Sequence, residues 1–370
     1  MDALEKGKAE AIAKIWQPPE NWNVTGAWFW WFWLFFIHDE NTEKTGKCRQ
    51  LMILWSIKKD RKIKCNSLDI QIPSQIEKTE KGWVLNGAVA AWYFDGKEMR
   101  HDFVLEKSRM LLEAGRLSAP GSTPSEFFQE GEGFITKIKS GELEFEFCAR
   151  QTDKNAAVGP THGSSRLPFG MEIAGTRIET MELSGFETGK DGERKKIAGT
   201  AYFQKILVAS PIPQWYWGLY HFKCGSFFTY MLPYLGKNAL ADNAWKGAKL
   251  GSPLISLNPD VLFYHAPTGR AFSGSKLSVK PEKIREEGSG LWRHLVKGGG
   301  KEFEITATAE AYSHSCWKFE KNVGVLPFKS TFRYNEYPAV ANVEIVLKSG
   351  EKIRLENGWG SMENSWGFLI

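Results

Sequence analysis

The segment from Ala27 to Ile37 constrains this chain more than any other: eleven residues without a polar side chain, eight of them aromatic. A helix needs about 20 apolar residues to cross a bilayer, so the run is too short for a membrane-spanning helix. A short continuous apolar run bounded by polar residues reads as a buried strand. His38-Asp39-Glu40-Asn41 ends it, and Gln50 to Lys58 resumes an apolar strand, which gives a first hairpin with a long loop.

The rest of the chain continues in that mode. Leu143, Phe145 and Phe147 alternate with Glu142, Glu144 and Glu146, the period of a half-buried strand. Trp83 to Phe94 ends at Asp95-Gly96, a preferred turn pair. Met181 to Phe203 folds back around Gly189-Lys190-Asp191-Gly192, and Trp215 to Leu232 around Lys223-Cys224-Gly225-Ser226. Val261 to His265 turns at Pro267-Thr268-Gly269 into Ala271 to Val279. Phe303, Ile305, Ala307 and Ala309 share one face, and Val343 to Leu355 is a last hairpin around Ser349-Gly350. In the body only Glu106 to Gly115 and Leu235 to Trp245 read as helical, and Asp95, His101 and Asp102 read as a loop. Many short strands with close turns predict an all-β chain of barrels or sandwiches.

At 370 residues one core is not enough, so two domains are expected. The prolines of Ser210-Pro211-Ile212-Pro213-Gln214 interrupt what would be continuous strand and mark the joint. The expected division is a helix over 1–19 and β domains over 20–210 and 211–370. Sixteen Trp and 24 Phe then require either very large cores or pockets lined with rings.

The formal charge of +5, from 48 basic and 43 acidic residues, is spread without a basic block, which argues against a nucleic-acid partner. Cys48, Cys65, Cys148, Cys224 and Cys316 contain no C-x-x-C pair and read as free thiols of a reducing compartment. Met1 to Gln17 carries Glu5, Lys6, Lys8, Glu10 and Lys14, an amphipathic helix rather than a signal peptide, so a cytoplasmic location without a transmembrane segment is expected. The seven histidines form no i, i+2 or i, i+4 pair, so no metal site is expected, nor any cofactor.

Gly199-Thr200-Ala201-Tyr202-Phe203, Trp215-Tyr216-Trp217, Gly225 and Phe228-Thr229-Tyr230-Met231-Leu232 together resemble the central signature of the carotenoid 1,2-hydratase (hydroxyneurosporene synthase) and AttH-like family. The ending Gly358-Trp359-Gly360-Ser361-Met362-Glu363-Asn364-Ser365-Trp366-Gly367 is similar to the family's closing G-x-G-x-x-E-x-x-G. The opening Glu20-Asn21-Trp22-Asn23-Val24-Thr25-Gly26 fits as well, and Gly159-Pro160 before the segment from Gly170 to Leu183 is similar to the fungal decalin-forming Diels–Alderases of the same superfamily. The resemblance implies two lipocalin-like antiparallel β-barrel or sandwich domains after the short helix, holding a hydrophobic ligand in or between them. Its known members hydrate carotenoids, cyclise polyenes or bind ligands. Two departures matter. Where the hydratases carry Asp-His followed by Trp, this chain reads Gln204-Lys205-Ile206-Leu207, and where they place Tyr and then Asp it has Tyr230 and Leu232. Protonating an alkene needs a strong acid close to carbon, so loss of that Asp puts the family's hydration chemistry in question.

The candidate catalytic residues are Tyr230, Lys205 and Glu363. Tyr230 reads either as a core tyrosine or as a donor to a ligand oxygen, and Lys205 as a surface lysine or a cation in an apolar mouth. Glu363 reads as an interface hydrogen-bond partner or an acid. Trp28, Trp30, Trp33, Trp215, Trp217 and Phe228, with His221 and His265, are the candidate ligand wall, against the plainer reading of packed core. The leading functional expectation is binding of an isoprenoid, polyene or polyketide-like molecule with cofactor-free cyclisation, isomerisation or hydration, much of it by holding the substrate in a reactive shape. A non-catalytic carrier or sensor and a carbohydrate-binding β protein are the alternatives; oligomeric state stays open.

Overall fold

The computed structural model describes residues 3–19, 26–59, 63–70, 76–151, 158–166, 172–209, 214–236, 253–284, 290–322 and 329–367. The chain is all-β after one N-terminal helix, Ala3–Ile15. Two antiparallel sheets carry it.

The first sheet is a closed barrel of ten strands. Its centre is the aromatic strand Trp28–Ile37, paired in full register with Arg49–Lys58 on one side and Arg194–Ala209 on the other. The order continues from Arg49–Lys58 through Gly82–Phe94, Met99–Glu113, Arg116–Ala119, Ser125–Glu130, Gly133–Ser140 and Leu143–Arg150. The last of these pairs with Glu172–Thr188, which pairs with Arg194–Ala209 and closes the ring. Thr161–Arg166 adds to Glu172–Thr188 outside the ring.

The second sheet runs Arg270–Gly274, Asp260–His265, Phe227–Gly236, Gln214–His221, Lys352–Gly367, Lys329–Leu347, Phe303–Ala311, Trp292–Gly299 and Lys276–Lys283. Its strand Ser315–Asn322 also pairs with a small hairpin, Ile63–Cys65 and Leu68–Ile70, that comes from the first half of the chain.

Side-chain parity explains the unbroken apolar run. Phe29, Trp31, Trp33, Phe35 and Ile37 point into the barrel. Trp28, Phe32, Leu34 and Phe36 point outward into a layer shared with Trp217, Leu219, Phe319, Phe332 and Trp359 of the second sheet. A strand covered on both faces has no solvent side on which polar residues would alternate. A third cluster, including Phe228, Phe263, Ile305 and Met362, fills the inner face of the second sheet. The predicted alternation of Phe303, Ile305, Ala307 and Ala309 is observed, all four buried there.

The two ends of the barrel are built differently. At one end Ala11 and Ile15 of the helix are buried, Trp16 packs on Phe127 at 4.9 Å, and Trp31 Nε1 donates to Ile15 O at 2.9 Å. At the other, Arg49 bridges Glu187 and Tyr93.

Three local expectations are corrected. Glu106 to Gly115 is not helical: Met99–Glu113 is a strand paired along Gly82–Phe94, so tertiary pairing overrides the helix propensity of Glu-Lys-Ser-Arg-Met-Leu-Leu-Glu. His101 and Asp102 lie in that strand rather than in a loop, and Asp102 Oδ1 accepts from Asn66 Nδ2 at 3.0 Å. Ala271 to Val279 is two strands, Arg270–Gly274 and Lys276–Lys283. Leu235 and Gly236 end the strand Phe227–Gly236, and the remainder of the second helical reading, from 237 on, lies outside the described residues, as do 210–213 of the expected joint.

Candidate functional site

The barrel's interior is ring packed on ring. Trp33 stacks on Phe35 at 5.3 Å, Phe35 on Phe147 at 4.0 Å, and Trp33 meets Phe203 at 4.8 Å. Chemistry is concentrated instead in the layer between barrel and second sheet.

Four strands build it. Gln214–His221 and Lys352–Gly367 are in register so that Trp217 lies opposite Glu363, while Lys329–Leu347 places Glu336 opposite Glu363 and Tyr334 opposite Ser365. Cross-strand partners share a face, so Trp217, Glu363 and Glu336 all look toward the barrel. Gly82–Phe94 supplies Trp92 from the barrel wall.

Each carboxyl is held in the same way. Trp92 Nε1 donates to Glu336 Oε2, and Trp215 Nε1 donates to Glu363 Oε2 at 2.6 Å. The Tyr334 hydroxyl lies between the two remaining oxygens, 2.5 Å from Glu336 Oε1 and 2.8 Å from Glu363 Oε1. A phenol has one proton and can donate to one of them. The second contact is a hydrogen bond only if the other carboxyl is protonated and donates to the phenol oxygen. The geometry therefore specifies a pair with a retained proton.

Electrostatics agree. Burial raises both carboxyls out of the usual range, Glu363 to about 7, and the charge of Glu363 pushes Glu336 up further. Two acids this close in a dry layer cannot both ionise, and they titrate as a pair. Nearby, burial also lifts Glu179 to about 7, against the lowering effect of Arg177. Glu179 Oε2 is buried without a hydrogen-bond partner among the described residues.

Around the pair the rings form a connected series: Trp30 on Trp28 at 5.5 Å, Phe332 on Trp215 at 5.5 Å, Trp215 on Tyr334 at 5.7 Å. Trp28 joins the two ends through Phe332 at 6.4 Å. Trp30, Trp215 and Tyr334 are only half-buried, so this edge of the layer meets solvent.

Of the residues singled out from sequence, the structure brings Trp28, Trp30, Trp215, Trp217 and Glu363 into this one layer. His221 reaches its barrel side, where it bonds Glu179 O at 3.0 Å and Thr200 Oγ1 at 3.3 Å; burial lowers it to about 4 and leaves it neutral. The others lie elsewhere. Trp33 is in the barrel core. Lys205 Nζ donates to the carbonyls of Lys14 and Gln17 at the helix C-terminus, with Phe29 and Trp31 rings at 5.2 and 5.7 Å. Burial, helped by Lys14, lowers its pKa to about 7.

Tyr230 and Phe228 are inside the second sheet. There the Tyr230 hydroxyl donates to His294 Nδ1 at 2.6 Å, and His294 Nε2 bonds Asn364 Oδ1, a chain across the sheet's interior. Gly218 makes room for that ring, since a Cβ at 218 would fall 2.6 Å from Tyr230 Cε1. His265 holds Thr268 Oγ1 at 2.9 Å in a turn. Sequence reasoning missed Glu336, Tyr334, Trp92 and Arg177. The signal available was parity: Tyr334 and Glu336 interrupt a strand two residues apart, as Trp215 and Trp217 do.

No group of three His, Cys, Asp or Glu side chains placed to hold a metal occurs among the described residues, and none of their helices is long and apolar enough to cross a membrane.

No family model and no curated protein matches the sequence. Among solved structures, a "putative AttH" from Nitrosomonas europaea is similar over 92% of this chain and 92% of its own, with a TM-score of 0.54 and 11% identity. Kievitone hydratase from Nectria haematococca aligns over 92% of this chain and 89% of its own, with a TM-score of 0.44 and 12% identity. The shared fold with the first is the lipocalin-like architecture that the sequence resemblance implies.

Proposed function

We propose that the protein binds a hydrophobic small molecule against the aromatic layer between its sheets and promotes cofactor-free proton-transfer chemistry on it, in the class of isomerisation, cyclisation or hydration. The observation that carries this reading is the Tyr334 hydroxyl set between Glu336 Oε1 and Glu363 Oε1, an arrangement that calls for a retained proton. The raised pKa keeps a carboxyl in its acid form at neutral pH, in place to protonate an alkene or enone, and the fixed indole and phenol donors offset part of the cost of the carboxylate left behind. The ionised partner can take a proton from the neighbouring carbon, which completes an isomerisation. If water adds to the protonated substrate and loses its proton to that carboxylate, the result is hydration. The rings would stabilise cationic character as it develops. Glu336, which holds its proton more tightly, is the proposed acid, Glu363 its partner, Tyr334 the proton bridge, and Trp28, Trp30, Trp215 and Trp217 the wall. A sugar-stacking platform is not favoured, since no described Trp is fully exposed.

The first test needs no substrate. Infrared spectra of the full chain at pH 7 are expected to show protonated-carboxyl absorption that Glu336→Gln weakens; absence of the band in the unmutated protein would sink the acid assignment. Mass spectrometry of molecules that co-purify from the native host then supplies substrates for turnover. Glu363→Gln and Glu336→Gln are each expected to slow conversion by about 10²–10⁴-fold. Tight capture with no conversion by the unmutated chain would favour a carrier.

A further inference from the structure

Arg177 stands on the barrel face of the inter-sheet layer, opposite Gln204 in register, and the charges that bear on it come from both sheets: Glu179 from its own strand, Asp260 and Glu363 from the second sheet, with the phenol of Tyr202. It lies deep between the sheets yet keeps part of its surface in contact with solvent. Its guanidinium forms no hydrogen bond or ion pair with another described residue. The Tyr202 hydroxyl donates to Gln204 Oε1 at 2.9 Å.

A guanidinium has five N–H donors in a rigid fork, and those of Arg177 are left to solvent rather than to acceptors of the described residues. The acids that act on it form no ion pair with it. Burial lifts Glu179 and Glu363 to about 7, so they are only partly ionised at neutral pH, and Asp260 is exposed, so water screens its attraction. The result is a cation with open donors on the strand face that, through Tyr202 and Ile206 of the neighbouring strand, belongs to the same layer as the aromatic rim.

We infer that the layer takes an amphiphilic organic anion, with its apolar body against Trp30, Trp215 and Tyr334 and its carboxylate, sulfonate or phenolate on the fork of Arg177. The inference rests on the reading of this layer as the ligand site and adds the class of ligand. The fork matches a two-oxygen anion, which a lysine would hold only as a point charge. Because the charge of Glu363 acts on Arg177, an anchored head group would set the adjoining carbons toward the carboxyl pair. Substrate polarity and the direction of proton delivery would then be fixed by one residue.

Two dyes with the same ring skeleton separate the terms: 1-anilinonaphthalene-8-sulfonate and its neutral parent, N-phenyl-1-naphthylamine. In fluorescence titrations of the full chain, Arg177→Met is expected to weaken the sulfonate by about tenfold or more and the neutral dye by less than about twofold. Trp215→Ala is expected to weaken both. An unchanged sulfonate affinity in Arg177→Met, or an equal loss of both dyes, overturns the anion assignment while leaving the ligand layer standing. Failure of both dyes to bind the unmutated chain overturns the layer as a ligand site, and the inference with it; failure of the sulfonate alone overturns the anion assignment. Should Arg177→Met not fold, the unmutated protein still decides: decanoate is expected to displace the neutral dye at concentrations where decanol does not, and the opposite order overturns the inference.

Discussion

Inside the barrel, Trp33, Phe35, Phe147 and Phe203 meet ring to ring, and charge sits at the two ends, in Lys205 under the helix and Arg49 beside Glu187. One wall outward, Trp28, Trp92, Trp215 and Trp217 occupy a layer of similar aromatic density that also holds Glu336, Glu363 and Arg177. Both regions come from the same strands, whose alternate side chains go to opposite faces. The comparison separates two uses of aromatic residues. Rings that fill a closed cylinder give stability. Rings that line an interface with a solvent-reaching edge can surround a group whose proton affinity they change.

The largest expected effect tests the barrel half of that contrast. Trp33→Ala should cost about 3–5 kcal/mol in denaturant unfolding, as for other fully buried aromatics, and leave affinity for N-phenyl-1-naphthylamine within about twofold. Loss of the dye in Trp33→Ala with retention in Trp215→Ala would place the ligand inside the barrel and reverse the comparison.

The second effect sharpens the interface half. The folded Glu363 carboxyl binds its proton more tightly than the unfolded one, so its contribution to stability is full at low pH and disappears as pH rises through about 7. His221 and His294, lowered to about 4 by burial, act in the opposite direction across overlapping pH. The informative quantity is therefore the difference between the unmutated chain and Glu363→Gln. From pH 5 to pH 8 that difference should move against the unmutated chain by on the order of 3 kcal/mol. A flat difference would mean the carboxyl is ionised throughout.

The smallest effect concerns the barrel's mouth. Lys205→Met removes the donors to Lys14 and Gln17 carbonyls, and hydrogen exchange in the helix Ala3–Ile15 should report an opening free energy lower by about 1 kcal/mol. Unchanged protection would show that burial of Ala11, Ile15 and Trp16 alone holds the helix.

The fold was largely legible because alternation and turn chemistry are local. Phe303 to Ala309 shows its buried face directly, and Gly189 to Gly192 marks its own hairpin. Glu106 to Gly115 was not legible, since its helix-forming residues are held extended by a strand that sequence does not identify as the neighbour. The site was legible in part. Glu363 stands in a motif and Trp215 in a W-x-W, but Glu336 and Arg177 look like the outer face of ordinary strands. Only the arrival of the second sheet turns that outer face inward, and nothing in a single strand's pattern records what will cover it.

The small hairpin at 63–70 has a consequence for how the chain can be divided. Cys65 pairs with Phe319 and Lys64 with Glu320, partners some 250 positions apart. A fragment starting near the proposed joint would present Ser315–Asn322 as a bare sheet margin with unmet amide and carbonyl groups, a template for strand exchange between copies. Expressed separately, the two halves should aggregate or re-associate rather than persist as independent pieces.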